Sequence, residues 1–149
     1  MNILIGKECD KMKSIKITIP GNPVTKKNHS NFVTIPVKGS TRCPACKKFH
    51  KTMTRLLPSK AYTVYQAEAI GYLPMMPPIE RPVNVKCLYY METHRKVDLT
   101  NLIAATHDIL VHYHILADDN ASIIVSEDGS RVLYDKDNPR VEIEITEVE

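Results

Sequence analysis

Alternation of apolar and polar residues predicts strands at both ends of the chain. Residues 14–20 (SIKITIP) follow this period of two, which is typical of strands with one buried face, and residues 31–37 (NFVTIPV) predict another short strand. Near the other end, residues 141–148 (VEIEITEV) alternate over eight positions and predict a strand with one wet face. Both termini of the fold are therefore expected to contribute to a sheet.

The middle of the chain predicts three further strands. Residues 83–91 (VNVKCLYYM) are rich in β-branched and aromatic side chains, which favours a central strand. Segments 122–125 and 131–134 predict two short strands, joined by an Asp-Gly turn at residues 127–130.

Two helices are predicted between these strands. Ser59 is a good N-cap for a helix that ends near Gly71, and Asp98 can cap a second helix that reaches about Tyr113. Apolar residues recur at helical spacing in both segments, and in the second they are Leu102, Ala105, Ile109 and Leu110. The element order predicts an α+β fold, with a mixed or antiparallel sheet and two helices packed on one face.

The length of 149 residues suits a single domain over 1–149, with a cysteine-containing hairpin insert at about 38–57. No run approaches the roughly 18 apolar residues that cross a membrane, and no signal peptide is recognisable at the N-terminus. These features predict a cytoplasmic protein without a membrane partner, whose four cysteines are reduced.

Charge is distributed unevenly along the chain. Residues 1–60 carry thirteen Lys or Arg and two acids, whereas residues 61–149 carry seven Lys or Arg and fifteen acids. A basic half favours a polyanion partner, because counterions released from phosphates drive association. Two solvated faces that attract each other would produce the same asymmetry, so charge alone leaves both interpretations open.

Four aspartates lie within 22 residues at Asp98, Asp108, Asp118 and Asp119. Carboxylates suit Mg²⁺, a hard cation that prefers oxygen ligands and serves phosphodiester hydrolysis. The alternative is structural: Asp98 as an N-cap, and Asp118-Asp119-Asn120 as a polar turn. The histidines at 107, 112 and 114 are expected at the surface or an interface, because no third ligand occurs at helical spacing.

A second candidate metal site follows the predicted strand at 31–37. Cys43-Pro-Ala-Cys46, with His50 after it, is similar to a zinc knuckle in which two thiolates reach one tetrahedral Zn²⁺. A complete site would need a further ligand from Cys9, His29, Cys87 or a partner subunit. A reduced hairpin without metal is the alternative.

Several ordered motifs resemble the RusA family of Holliday-junction resolvases, in its prophage type. Residues 98–101 (DLTN), 108–110 (DIL) and the pair Asp118-Asp119 are similar to the family's Asp-x-Asp-Asn helix start, its Asp-x-Leu, and its Asp-Asp pair. Flanking segments also resemble the family, at residues 19–23, 26–28, 58–62, 134–136 and 138–143. The resemblance covers most of residues 15–147, and the cysteine insert fits it poorly.

The resemblance implies a homodimeric, Mg²⁺-dependent endodeoxyribonuclease for branched DNA, in which Mn²⁺ can replace Mg²⁺. Asp98 and Asp119 match the metal-binding aspartates, and Asp118 supports them as a third catalytic residue. Two positions depart from the family: Thr100 replaces the second motif aspartate, and Ala104 replaces a functional lysine. A weakened or inactive junction-binding protein of the same fold is therefore an alternative. A zinc-knuckle adaptor unrelated to nucleases is a second one.

Basic residues beside the acidic motif are candidate phosphate contacts: Lys26, Lys27, Arg95 and Lys96. Asp98 and Asp119 are expected at opposite ends of a helix about 20 Å long. Such residues share one Mg²⁺ only if the following loop folds back or a second subunit contributes. An antiparallel pair of helices in a homodimer favours the second arrangement.

Overall fold

The structure, a computed structural model, describes residues 14–26 and 31–149. Its helices and strands are β1 (Ile15–Pro20), β2 (Asn31–Pro36), β3 (Thr52–Leu57), α1 (Lys60–Ala69), β4 (Val83–Met91), α2 (Leu99–His112), β5 (Ile124–Ser126), β6 (Arg131–Tyr134) and β7 (Arg140–Glu147). A short 3-10 turn, Ile70–Tyr72, extends α1 and ends it where the sequence predicts.

The main sheet has five strands and is mixed. Strand β7 lies between β1 and β4 and is antiparallel to both. Strands β5 and β6 pair in parallel with opposite ends of β4, and the predicted Asp-Gly turn joins them. In that turn the Ser130 N–H donates to the Glu127 carbonyl over 3.2 Å, and Gly129 has φ 87°. The left-handed φ is one that glycine adopts without strain.

One hydrophobic core joins this sheet to both helices, as the α+β prediction requires. Every second residue of β4, from Val83 to Met91, is buried, and the same face of β7 buries Val141, Ile143 and Ile145. The helices cover that face mainly with Tyr62 of α1 and with Leu102, Ile109 and Leu110 of α2. No helix among the described residues has the length and apolar character needed to cross a bilayer.

Both predicted helix caps are present. The Ser59 hydroxyl accepts a hydrogen bond from the Tyr62 N–H at 3.1 Å, and the Asp98 carboxylate accepts one from the Thr100 N–H at 3.0 Å. Each satisfies one of the N–H groups that the first helical turn leaves without a partner.

The cysteine insert extends a hairpin separate from the five-stranded sheet. Strands β2 and β3 form their own antiparallel pair, in which Phe32 faces Leu56 and Val33 faces Arg55. The sequence predicts β2 but not β3, because residues 52–57 (TMTRLL) lack clean alternation. All six residues of β3 are exposed, so no buried face imposes that pattern.

Candidate functional site

Asp98 lies exposed at the start of α2, where its own helix orients it. One carboxylate oxygen accepts from the Thr100 N–H and from the Thr100 hydroxyl, at 3.0 and 2.6 Å. The other accepts from the Asn101 side-chain amide at 3.1 Å. The structural interpretation of Asp98 as an N-cap is therefore right, and it does not exclude metal binding, because a carboxylate has lone pairs beyond those three bonds.

Asp118 organises the loop after α2. One of its oxygens accepts from the Asp119 N–H at 2.8 Å, and the other accepts from the Asn120 amide at 2.7 Å. The Asn120 bond and then the Asp119 N–H hold the pKa of Asp118 below its usual range. Asp118 thus remains charged and holds a turn that presents Asp119 to solvent.

Asp98 and this loop are attached to the fold at different places. Asp98 follows the end of β4, whereas the loop is bonded to the segment entering β4, through Ala117 N–H to the Ile79 carbonyl at 3.0 Å. Among the described residues, Cys43, Cys46 and His50 are the one group of three or more His, Cys, Asp or Glu side chains whose ligand atoms all lie within 4.8 Å of one another. The three aspartates therefore do not form such a group within one chain.

His107 is buried on α2, with 7% of its surface exposed, so the prediction of a surface or interface position is wrong for it. The chain after α2 brings acidic residues back to this histidine: Nδ1 lies 3.7 Å from the Glu127 carboxylate, and the charge of Asp119 acts on the ring. Nε2 is buried and has no hydrogen-bond partner among the described residues. His112 and His114 are exposed, as predicted.

Thr100, Ala104 and His107 lie at positions i, i+4 and i+7 and so share one side of α2. Thr100 and Ala104, the two departures from the family motif, are exposed. The charge of Asp119 acts on His107, so the loop that carries Asp119 lies within electrostatic reach of this part of α2. His107 is nine residues beyond Asp98, which corresponds to about 13 Å of helix rise.

The burial of His107 predicts how the stability of the protein depends on pH. Burial lowers its pKa from the ordinary 6.5, and the nearby charges of Glu127, Asp119 and Asp108 oppose that shift. Below the unfolded pKa the unfolded chain therefore binds more protons than the folded chain, so this contribution to stability is lost as the pH falls. We expect the free energy of unfolding to decrease between about pH 7 and about pH 5, and His107→Leu to reduce that decrease.

Urea denaturation at the two pH values checks this prediction, with His112→Leu as a control at an exposed histidine. The control is expected to behave like the wild type. If the free energy of unfolding of His107→Leu decreased between these pH values as much as that of the wild type, His107 would not be the source of the pH dependence.

The basic residues divide between two places along α2. Arg95 and Lys96 are exposed in the segment between β4 and α2, directly before Asp98. Lys26 lies farther along the helix, where its ammonium group pairs with the Asp108 carboxylate at 2.9 Å. Lys27 lies outside the described residues. Arg95 and Lys96 are therefore better placed than Lys26 to contact a phosphate near Asp98.

The cysteine insert brings its three predicted ligands together. Cys46 Sγ lies 3.2 Å from His50 Nε2, and Cys43 completes the group. The backbone N–H of Cys46, and then the His50 side chain, lower the pKa of the Cys43 thiol to about 7. Cys87 cannot join them, because it is buried in the main core, where desolvation raises its pKa to about 12. Cys9 and His29 lie outside the described residues.

Comparison with protein families decides the relationship of the chain. The family model described as endodeoxyribonuclease RusA matches residues 20–146, which is most of the chain and includes α2 and all four aspartates around it. The chain belongs to the RusA family. Membership implies an endodeoxyribonuclease that resolves Holliday junctions. No curated protein matches the sequence.

Within this RusA-family chain, sequence reasoning did not predict Glu127 in the acidic region and wrongly placed His107 at the surface or an interface. Glu127 and the buried His107 meet because the chain turns back after α2, a long-range contact that no local pattern encodes. A signal was present for His107: it lies on the same helical stripe as Thr100 and Ala104, two positions of the RusA motif.

Proposed function

We propose that the chain is a single-domain, cytoplasmic RusA-type endonuclease that cleaves four-way DNA junctions with Mg²⁺, or Mn²⁺ in its place. The family match over residues 20–146 carries this proposal. Asp98 and Asp119 would hold the metal, and Asp118 would support them by ordering the loop that carries Asp119. Exposed carboxylate oxygens fit a hard cation. When bound, Mg²⁺ stabilises charge on the phosphate and activates water.

The protein would act as a homodimer with two composite sites. Asp98 follows the end of β4, whereas the Asp118–Asp119 loop is bonded to the segment that enters β4. No three of the described aspartates have ligand atoms within 4.8 Å of one another in one chain. Two antiparallel α2 helices about a two-fold axis would bring Asp98 of one chain toward Asp119 of the other. Two such sites suit a four-way junction, whose resolution requires a cut in each of two opposing strands.

Thr100 and Ala104 support a second candidate, a junction-binding protein with weak or no cleavage. Thr100 donates its hydroxyl hydrogen to Asp98 at 2.6 Å and offers a neutral oxygen where the family has a carboxylate. Ala104 has no polar side-chain atom for the role of the family lysine. Loss of such groups commonly lowers catalytic rates by orders of magnitude.

A gel assay with a synthetic four-way junction separates these candidates. The endonuclease cuts the junction in Mg²⁺ but not in EDTA. The inactive form retards the junction in both buffers without cutting it. A protein that does neither at micromolar concentration would contradict both candidates and would leave the zinc-knuckle adaptor.

DNA binding is expected to depend on Arg95 and Lys96, which precede Asp98. Replacing both with Ala should weaken binding to junction and linear duplex alike, since phosphate contacts carry no sequence information. Loss of two phosphate contacts should make the slope of log affinity against log salt shallower by about 1.8. Fluorescence anisotropy over a salt series measures both effects.

The matched control also removes two positive charges, by replacing Lys16 and Lys86 with Ala. These lysines lie on the face of the sheet that the helices do not cover. Both pair with Glu144 there, at 3.7 and 3.5 Å. The control should keep most of the affinity. Equal slopes of log affinity against log salt for the Arg95/Lys96 variant and the wild type would show that these two residues do not contact phosphates.

A further inference from the structure

The tip of the β2–β3 hairpin holds a cluster of metal-ligating side chains that the nuclease function does not use. We propose that Cys43, Cys46 and His50 bind one Zn²⁺ and that this metal stabilises the hairpin. The proposal concerns a site apart from the aspartates of α2. It does not depend on DNA cleavage.

The ligand atoms are already close to the positions that zinc requires. In a tetrahedral site with Zn–S bonds of about 2.3 Å and Zn–N bonds of about 2.0 Å, ligand atoms lie roughly 3.5–3.8 Å apart. The Cys46 sulfur and the His50 Nε2 are 3.2 Å apart, and all three ligand atoms lie within 4.8 Å of one another. Small side-chain rotations would therefore complete the arrangement.

The backbone of the tip supports this geometry. The Lys47 N–H donates to the Cys43 carbonyl at 2.9 Å, and the Cys43 N–H donates to the Lys48 carbonyl at 3.0 Å. Lys47 has a φ of 58°, a left-handed conformation that non-glycine residues adopt rarely. This residue reverses the chain directly after Cys46, and the reversal brings His50 back to the two thiols.

The donor atoms favour zinc over the hard cation proposed for the aspartates. Thiolate and imidazole ligands select zinc and other softer metals, whereas Mg²⁺ prefers oxygen. Two sulfurs and one nitrogen with no carboxylate among them therefore point to Zn²⁺. All three side chains are accessible enough for the ion to enter, since Cys43 is half-buried and the other two are exposed.

A cross-link of this kind would stabilise a hairpin that buries little apolar surface. Every residue of β3 is exposed, and Phe32 and Leu56, which face each other across the strands, are 79% and 59% exposed. Two-stranded hairpins without a hydrophobic face are at best marginally stable in water. The tip also concentrates positive charge, from Lys38, Arg42, Lys47, Lys48 and Lys51. A metal joining both sides of the turn would oppose this repulsion and replace the missing core.

Elemental analysis of the full chain, purified under reducing conditions without chelator, tests the proposal. We expect about one zinc per chain, since one tetrahedral site takes one ion. Cys43→Ser and Cys46→Ser should each bring the zinc content close to zero, and His50→Ala should weaken zinc affinity by about 10-fold or more. The matched controls, Cys87→Ala and His112→Ala, remove the same residue types elsewhere and should retain zinc.

Titration of metal-free wild-type protein with Co²⁺ provides a second readout that does not depend on any variant folding. Tetrahedral coordination with two thiolates should produce intense visible absorption and a sulfur-to-cobalt charge-transfer band. Purified wild type without zinc and without these bands on Co²⁺ addition would overturn the proposal. Zinc retained at wild-type levels by both cysteine variants would also overturn it. Neither readout involves DNA, so these outcomes are distinct from failure of the proposed nuclease function.

Discussion

Replacing Asp98 with Asn is expected to lower the rate of junction cleavage by at least about 100-fold, because the amide removes the negative charge that would hold a divalent cation in the proposed site. Stability should change little, since Asn is as good an N-cap as Asp and can still accept from the Thr100 N–H. Junction binding should persist. Single-turnover cleavage of a labelled junction, beside gel retardation, measures both properties. Asp119→Asn should show the same separation of binding from cleavage.

Asp137→Asn is a suitable control, because Asp137 is exposed and lies in the turn before β7. It should cleave like the wild type. Mixing the Asp98→Asn and Asp119→Asn subunits should restore one working site in each heterodimer, if the two aspartates come from different chains. No recovery, from a wild type shown to be active, would contradict the composite site and leave the loop folding back within one chain.

The double substitution Thr100→Asp with Ala104→Lys is expected to raise the cleavage rate by about 10-fold or more. It introduces a carboxylate and an ammonium group at the two positions where the family has an aspartate and a lysine. Both positions are exposed on one side of α2, so the new side chains fit without repacking the core. An added aspartate in the first turn also interacts favourably with the helix dipole. Single-turnover rates in Mg²⁺ measure the gain.

Thr100→Asn with Ala104→Gln provides similar bulk without charge and should leave the rate near that of the wild type. If the charged variant is no faster than this neutral pair, Thr100 and Ala104 do not limit the reaction. The weakened-enzyme alternative would then lose its basis.

The local sequence pattern was sufficient to predict the strands and helices that bury one face. The β-branched and aromatic residues at 83–91 correspond to β4, and the caps at Ser59 and Asp98 begin α1 and α2 where predicted. It was insufficient for β3, which buries nothing, and for the parallel pairing of β5 and β6 with β4. An Asp-Gly turn between two short strands indicates a chain reversal, but the pairing partners are set by long-range packing.

The same distinction holds for the acidic region. Motif spacing identified Asp98, Asp118 and Asp119 as candidates. The structure adds the hydrogen bonds that orient the carboxylates of Asp98 and Asp118. The burial of His107 beside Glu127 depends on the return of the chain after α2, which is a tertiary contact. For the cysteine hairpin, the short CxxC spacing and a histidine four residues later were enough to predict that three side chains meet.

Cleavage of a supercoiled plasmid that extrudes a cruciform tests the central claim most directly, because the extruded cruciform contains a four-way junction in native DNA. A homodimer with two working sites cuts opposing strands of the same junction, so incubation in Mg²⁺ is predicted to convert supercoiled plasmid into linear product with ends at the cruciform. EDTA should prevent the reaction, and a plasmid without the inverted repeat should stay supercoiled. Cruciform plasmid that remains uncut in Mg²⁺, at protein concentrations that retard a synthetic junction, would contradict the account.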